Sequence, residues 1–200
     1  FSVLKEIFMC LDAHYLFDLA KSGKSTIKAF AQKVCFISDT GEQISTNDLW
    51  QALEEIIEYI EDIDSAPEHT TILAPRLKRK AFINLSTASS FGLTGPFVRA
   101  NRCVYDTRSI SNQSIDYVRL PKTCIIEGGD AYARLLLRIR DIHSSVLWIK
   151  ERLLEDKYSS ISSQLIEDYG TLSSENPSQR FAFGEIEGPE GDIKSALFID

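Results

Sequence analysis

The sequence predicts a mainly α (α+β) chain: a helical bundle core followed by a small C-terminal β-hairpin. Several stretches repeat apolar residues every three or four positions, which places those residues on one face of a helix. Only the C-terminal stretch alternates apolar and polar residues as strands do. We therefore expect a helical core over residues 1–156, a polar loop or linker over 157–180, and a hairpin over 181–200 that continues the same domain.

Composition excludes several classes of protein. The net charge is −7, whereas proteins that bind nucleic acid or anionic membranes are normally basic. No apolar run approaches the ~20 residues that a transmembrane helix needs, and no signal peptide is visible. The cysteines lack the CxxC spacing of zinc or iron–sulfur sites, and buried thiols fit a reducing cytoplasm. We expect no metal ligand among them: Cys10, Cys35, Cys103 and Cys124.

The first predicted helix covers residues 3–20 and is largely buried, because its apolar side chains form more than one stripe. Its apolar residues include Val3, Leu4, Ile7, Phe8, Leu11, Tyr15 and Leu19. His14 lies among them, and two interpretations stay open. It is a core histidine with a satisfied ring nitrogen, or it lines the path to a redox centre, since histidine changes charge near neutral pH.

Residues 22–26 read SGKST, but Asp18 stands where a phosphate-binding loop needs glycine, so we predict a turn between helices. A second helix follows at 25–37. A third helix covers 46–64, with an acidic, solvated side, and Pro67 ends it. Its apolar stripe is Leu49, Leu53, Ile56, Ile60 and Ile63.

A basic cluster comes next and consists of Arg76, Lys78, Arg79 and Lys80. The acidity of the whole chain and of the helix before the cluster favours a contact with a local protein partner over phosphate binding. After the cluster, a short helix is predicted at 86–90.

The clearest helix covers residues 130–155. Gly128 and Gly129 break the chain ahead of it, and Asp130 is placed to cap its first turn. Its predicted core face is Leu136, Ile139, Ile142, Val146, Ile149 and Leu153. Its opposite face carries Arg134, Arg138, Asp141, Ser145 and Arg152. The helices at 3–20, 46–64 and 130–155 should pack together, with near-complete burial of Leu11, Ile56, Leu136 and Ile142.

A sharp turn with many charges precedes this helix. Gly92, Gly95 and Pro96 predict the turn, and an extended stretch over residues 109–127 separates it from the helix. The charged residues are Arg99, Asp106 and Arg108.

Two stretches, FGLTGPFVRA…YDTR and GGDAYARLLLRIRDIHSS, carry a family resemblance. In order and spacing the chain resembles the large-subunit family shared by [NiFe] hydrogenases of the formate hydrogenlyase, energy-converting type and by the quinone-proximal subunit of respiratory complex I, the NADH-quinone oxidoreductase. A weaker similarity extends from Asp12-Ala13-His14 to EGPEGDI near the end. The resemblance implies a bundle of the hydrogenase large-subunit type.

The resemblance implies part of an oxidoreductase that transfers electrons between an iron–sulfur partner subunit and a Ni–Fe centre or quinone. The complex would include membrane subunits and place this chain in the cytoplasm, peripheral to the inner face of the membrane. The family's two CxxC pairs for nickel and iron are absent here, so we expect a central fragment that is not catalytic alone. The complex I segment "H..YIR.GG" reads KVCFISDTG, which favours a hydrogenase-like or divergent member.

The resemblance also assigns candidate residues. Arg99, Asp106 and Arg108 match family charges near the interface with the iron–sulfur subunit, and His14 is a further candidate facing the partner or its cluster. The structural turn and cap would be Gly92, Gly95, Pro96, Gly129 and Asp130. One or both of Arg99 and Arg108 are then expected at a partly open face. Arg99→Ala should leave folding nearly intact and weaken co-purification of the iron–sulfur subunit or shift its cluster potential downward.

Two alternatives stay open. In the first, the charges are salt bridges that hold the Gly95 turn to the long helix, with Asp130 or Arg134 as partner. In the second, the whole protein is a metal-free, degenerate relative that acts as a scaffold or assembly module. Two CxxC pairs in the full reading frame would argue against the scaffold.

Overall fold

The computed structural model describes residues 1–40, 46–105, 122–154, 180–188 and 191–199. The described chain is mostly helical, as predicted. Its α-helices are α1 Ser2–Cys10, α2 His14–Thr40, α3 Thr46–Ser65, α4 Ala74–Leu77, α5 Leu85–Ser90, α6 Pro96–Arg99 and α7 Ala131–Leu154. A π-helical turn at His69–Leu73 joins α3 to α4.

The N-terminal helices differ from the prediction in two places. The predicted helix at 3–20 is wrong, because α1 ends at Cys10 and Asp12 adopts a φ of 56°. The predicted turn at 22–26 is also wrong, since α2 continues through it. Gly23 is buried in α2, and the Phe1 ring packs against it. A Cβ at Gly23 would lie 2.4 Å from Cε1 of Phe1. The glycine allows two segments to approach closely and does not end a helix.

The core lies where α1, α2, α3 and one face of α7 meet, which confirms that the predicted helices pack together. Its largest fully buried side chains include Phe8, Leu16, Leu53, Ile56 and Ile63. Helix α3 starts where predicted, ends two residues before Pro67, and buries its apolar stripe, with Leu49 only half-buried. Burial of these side chains is the main stabilising contribution to the fold.

Helix α7 packs on two faces. Ile139 and Val146 join the core as predicted, and Ile142, Ile149 and Leu153 pack against it while half-buried. The opposite face, predicted to be polar, is also covered, and Arg134 is buried there. Near-complete burial holds for Ile56 but is wrong for Leu11, Leu136 and Ile142. For Leu136 and Ile142 the reason is that α7 divides its contacts between two neighbours, so Leu135 and Leu137 are buried instead. Leu11 follows the end of α1, where the chain turns.

The short helices bring the turn residues against α7. The predicted helix at 86–90 is α5, and the Asn84 side chain accepts a hydrogen bond from Thr87 N to start it. Helix α5 contacts α6, and α6 contacts α7. Pro96 occupies the first turn of α6, where a missing N–H costs nothing.

Two C-terminal strands, β1 Arg180–Gly188 and β2 Gly191–Ile199, pair antiparallel, with Ile186 opposite Ile193. That the hairpin continues the same domain as the helical core, and that the core ends at residue 156 and the linker at residue 180, stay predictions. The linker predicted at 157–180 lies outside the described residues except for its last position, as does most of the extended stretch at 109–127.

Candidate functional site

Three chain segments meet on the second face of α7, and we call residues 80–83, 95–103 and 124–130 the junction. Backbone hydrogen bonds join them in series. Ile126 N donates to Arg99 O at 3.0 Å, Arg102 N donates to Ile126 O at 3.1 Å, and Gly129 N donates to Ala100 O at 2.9 Å. Ile83 N donates to Gly129 O at 2.9 Å. These bonds between segments satisfy backbone groups that lie outside the helices and paired strands.

Gly129 lies at the centre of the junction. Its φ is +63°, and a Cβ there would lie 2.7 Å from Ile83 O and 2.8 Å from Asn101 Oδ1. Both the conformation and the crowding therefore require glycine. Gly92 has the same φ with open space around it, and Gly95 has a φ of +61° ahead of Pro96. A positive φ at these two glycines is the backbone conformation that a sharp turn uses.

Asp130 caps α7, as the sequence predicts. Its Oδ1 accepts a hydrogen bond from Ala133 N at 2.8 Å, which satisfies an N–H of the first turn. Its Oδ2 accepts from Arg79 N at 2.7 Å and so fixes the loop after α4. One carboxylate therefore joins the start of α7 to the loop after α4.

Arg99 is buried, with 2% of the residue exposed, and its Nη1 lies 2.8 Å from Asp141 Oδ1 on α7. The same Nη1 donates to Cys124 O at 3.4 Å. Arg99 therefore does not lie at a partly open face, and the expectation of one or both arginines there rests on Arg108, which is outside the described residues. Asp141 was not predicted as its partner, although its spacing from Arg138 placed it on the correct face of the helix.

Arg134 is the second buried cation of the junction. It donates to Gly129 O at 2.9 Å and to Ala81 O at 3.0 Å, and its guanidinium lies 5.0 Å from the centroid of the Phe97 ring. Burial lowers the pKa of Arg134, and it also lowers the pKa of Arg138 one turn later. Arginine suits this position because its planar fork can donate to two carbonyls at once.

Asn101 and Cys124 were missed by the sequence analysis. Asn101 Nδ2 donates to Ile83 O at 3.0 Å and to Phe97 O at 2.8 Å. Burial, followed by the nearby Asp141 carboxylate, raises the pKa of the Cys124 thiol. No sequence pattern marks either residue, since their partners are backbone carbonyls or groups distant in sequence.

The other candidates are separated from this junction or lie outside the described residues. His14 is the first residue of α2 and is exposed, so it is not the core histidine of the first interpretation. Asp106 and Arg108 lie outside the described residues. The partner-facing roles of His14, Arg99, Asp106 and Arg108 stay predictions.

The described residues offer no ready metal site, since they bring no three His, Cys, Asp or Glu side chains together to hold an ion. The chain also lacks CxxC pairs, so its residues do not fit the thiolate ligands of a nickel–iron centre. Within the same described part, no helix is long and apolar enough to cross a membrane.

Comparison with known proteins decides the family. Residues 32–179 match the model of the 49 kDa subunit of the respiratory-chain NADH dehydrogenase, and this range contains the whole junction. The chain belongs to the 49 kDa subunit family. This confirms the resemblance to the large-subunit family shared by hydrogenases and complex I. The matching family model is the complex I one. The hydrogenase-like or divergent member that the KVCFISDTG segment favoured stays a prediction.

Three relatives show how far this chain has diverged in sequence. An NADH-quinone oxidoreductase subunit of Roseiflexus is 24% identical over 76% of this chain and 41% of its own length. The corresponding protein from the Wolbachia of Brugia malayi is 29% identical over 52% of this chain and 27% of its own length. An NAD(P)H-quinone oxidoreductase subunit of Gloeobacter violaceus is 24% identical over 70% and 40%. The chain therefore spans less than half of these relatives.

Proposed function

We propose that this chain is the helical central part of a complex I type large subunit, acting in electron transfer from an iron–sulfur partner subunit to quinone. The observation that carries this proposal is the family match over residues 32–179, which includes the junction. The related proteins are named as NADH-quinone or NAD(P)H-quinone oxidoreductase subunits. The complex would hold this subunit at the inner face of a membrane through its partner subunits.

The chain's own contribution is to form a rigid surface. Gly129 lets two backbones approach closely, Gly95 adopts the positive φ of the turn ahead of Pro96, and Arg99 and Arg134 fix the junction to α7. Pre-organised groups lose little freedom when a partner binds, so more of the contact energy goes into affinity. Asp106 and Arg108 stay candidates for direct contact with the iron–sulfur subunit, whereas Arg99 would act by holding the turn.

The test uses the full-length protein in its native host. The gene is deleted and restored with an affinity tag, and two quantities are measured: co-migration on native gels with an iron–sulfur subunit, and NADH-driven quinone reduction by isolated membranes. We expect both to be lost on deletion and regained on restoration. Unchanged quinone reduction in the deletion strain would contradict the proposal. Unchanged turnover per assembled complex with fewer complexes formed would identify the scaffold or assembly module instead.

A further inference from the structure

A pocket of about 330 Å³ lies beside the junction, between the loop after α4 and the start of α7. Its deeper lining is apolar, with Ala133 buried and Ile126, Tyr132 and Leu136 half-buried. Lys78 and Arg79 are exposed and form part of its rim. A volume of this size suits one or two side chains or a small ligand.

The acidic side chains of the pocket have partners within the described residues, whereas its basic side chains have no carboxylate partner there. Glu127 pairs with Arg102 at 2.7 Å, and both oxygens of Asp130 accept backbone hydrogen bonds. Lys78 Nζ lies 5.2 Å from the centroid of the Tyr132 ring, but within the described residues neither Lys78 nor Arg79 has a carboxylate at ion-pair distance. The carboxylates are engaged while two cations at the rim are available to an anion.

The rim is held in place before any ligand arrives. Arg79 and Ala81 adopt φ values of 61° and 46°, which side chains rarely allow. Ala131 N donates to Lys80 O at 3.0 Å, and Arg134 donates to Ala81 O, so α7 fixes this loop. A strained conformation held by its surroundings is typical of binding surfaces.

An exposed aromatic side chain lies beside the pocket. Phe82 is 61% exposed, and its ring lies against Gly129, between the lining residues Gly128 and Asp130. A small molecule in the pocket would leave this side chain in water. A protein segment would cover it, and an apolar centre with charges at its edge is the usual composition of a protein interface.

We propose that this surface docks an acidic segment of a partner protein, with an apolar side chain in the pocket and a neighbouring Asp or Glu at Lys78 and Arg79. Charge complementarity selects the partner, because the chain as a whole carries −7 while this surface exposes adjacent cations. The inference rests on the proposed function only in expecting the partner to be a subunit of the same complex.

The first experiment places the photo-crosslinking residue benzoylphenylalanine at Phe82 of the full-length protein in its host. The matched control carries it at Tyr15, an exposed aromatic position on α2. After irradiation, mass spectrometry identifies the linked peptide. We expect position 82, and not position 15, to link to a peptide with Asp or Glu next to an apolar residue. No linked polypeptide, or a linked peptide without acidic residues, would overturn the inference.

The second experiment tests charge. In the Phe82 crosslinking background, Lys78→Glu with Arg79→Glu should lower the crosslink yield roughly tenfold or more, since like charges across an interface repel. Lys78→Arg should keep it. The control Lys28→Glu changes an exposed lysine on α2 and should also keep it. Melting temperatures confirm that the variants fold. An unchanged yield in the double variant would overturn the charge argument.

Failure of this inference and failure of the proposed function give different results. Co-migration with the complex but no crosslink at position 82 removes only the docking surface. A crosslink to an acidic segment of a protein outside the complex keeps the docking surface and contradicts the proposed function. A higher melting temperature with sodium hexanoate, lost in the double variant and without any crosslink, would mean a small carboxylate ligand and would overturn the inference.

Discussion

The two packed faces of α7 are stabilised in different ways. Toward the helical core, mainly α3, it buries apolar side chains such as Ile139 and Val146, beside one ion pair of Lys150 with the exposed Glu54. Toward the junction its contacts are hydrogen bonds and an ion pair, made by Arg134 and Asp141. Apolar burial is non-directional and scales with area. Hydrogen bonds depend on the position of each atom, so the junction has a more closely specified backbone than the core.

The comparison predicts different responses to mutation. In the apolar face, loss of stability should follow the volume removed, whichever side chain supplies it. In the junction, loss should follow the number of buried polar groups left without a partner. Four substitutions, from the largest expected effect to the smallest, test this difference.

Phe8→Ala should give the largest effect. Phe8 is fully buried between the N-terminal helices and α3, and truncating it should lower the free energy of unfolding by about 3–5 kcal/mol. Chemical denaturation measures this. The control Met9→Ala, at a position 57% exposed, should change it little. Equal effects at the two positions would show that α1 is not part of the core.

Arg99→Ala should cost about 3 kcal/mol, because Asp141 loses the partner of a buried ion pair. The figure is at the low end of the usual range, since the Asp141 side chain is 28% exposed and can be hydrated. Arg99→Met with Asp141→Leu should recover most of the loss. Intact stability with weakened partner binding, as the sequence suggested, would instead place Arg99 at an interface.

Gly129→Ala and Gly92→Ala form a matched pair, because both glycines have a φ of +63°. Each should lose roughly 1–2 kcal/mol from the left-handed conformation alone. Only Gly129→Ala should lose more, since its Cβ would meet Ile83 O and Asn101 Oδ1. Denaturation midpoints of the two variants measure the difference. Equal losses would mean that the junction can relax, unlike the closely specified backbone described above.

His69 is a polar exception among apolar groups, and it makes the stability depend on pH. Burial lowers its pKa in the folded chain, against a smaller opposing effect of its hydrogen bond to the backbone of Ile63. Below the ordinary value of about 6.5 the unfolded chain therefore binds more protons, and stability should fall as the pH falls. The slope from one group cannot exceed about 1.4 kcal/mol per pH unit.

Denaturation curves between pH 7.5 and 5, a range chosen to span the ordinary histidine pKa of about 6.5, measure this effect. His69→Gln should flatten the dependence, and His14→Gln serves as the control for losing an imidazole at an exposed position. An unchanged slope in His69→Gln would mean that other groups cause it.

Sequence periodicity predicted α3 and α7, and the position of Asp130 after two glycines predicted its cap, because each signal lies in neighbouring residues. It could not predict the break at Asp12, since apolar residues continue at helical spacing on both sides of it. The predicted turn at Gly23 was wrong for a related reason. The glycine makes room for the ring of Phe1, the residue before α1, which is distant in sequence. Close approach between segments has no local signature.

The junction was predicted in part of its residues but not in its connections. Gly95, Arg99, Gly129 and Arg134 were singled out, whereas Asn101 and Cys124 were not. The alternative of internal salt bridges named Asp130 or Arg134, and not Asp141, as the partner. Asp141 is the partner of Arg99 because α7 places that carboxylate opposite α6, a relation that depends on how two helices dock. Pairings between distant residues follow from tertiary packing, which a single sequence does not encode locally.

The double coverage of α7 also bears on how this protein can evolve. Between residues 133 and 139 most side chains are buried against the helical core or the junction, including Ala133, Leu135 and Leu137. Neutral drift there needs a compensating change in a second segment. Arg140, Leu147 and Glu151 are exposed and free of that coupling. Divergence should therefore accumulate along the C-terminal half of α7, while its first turns change slowly and only in concert with the segments that they touch.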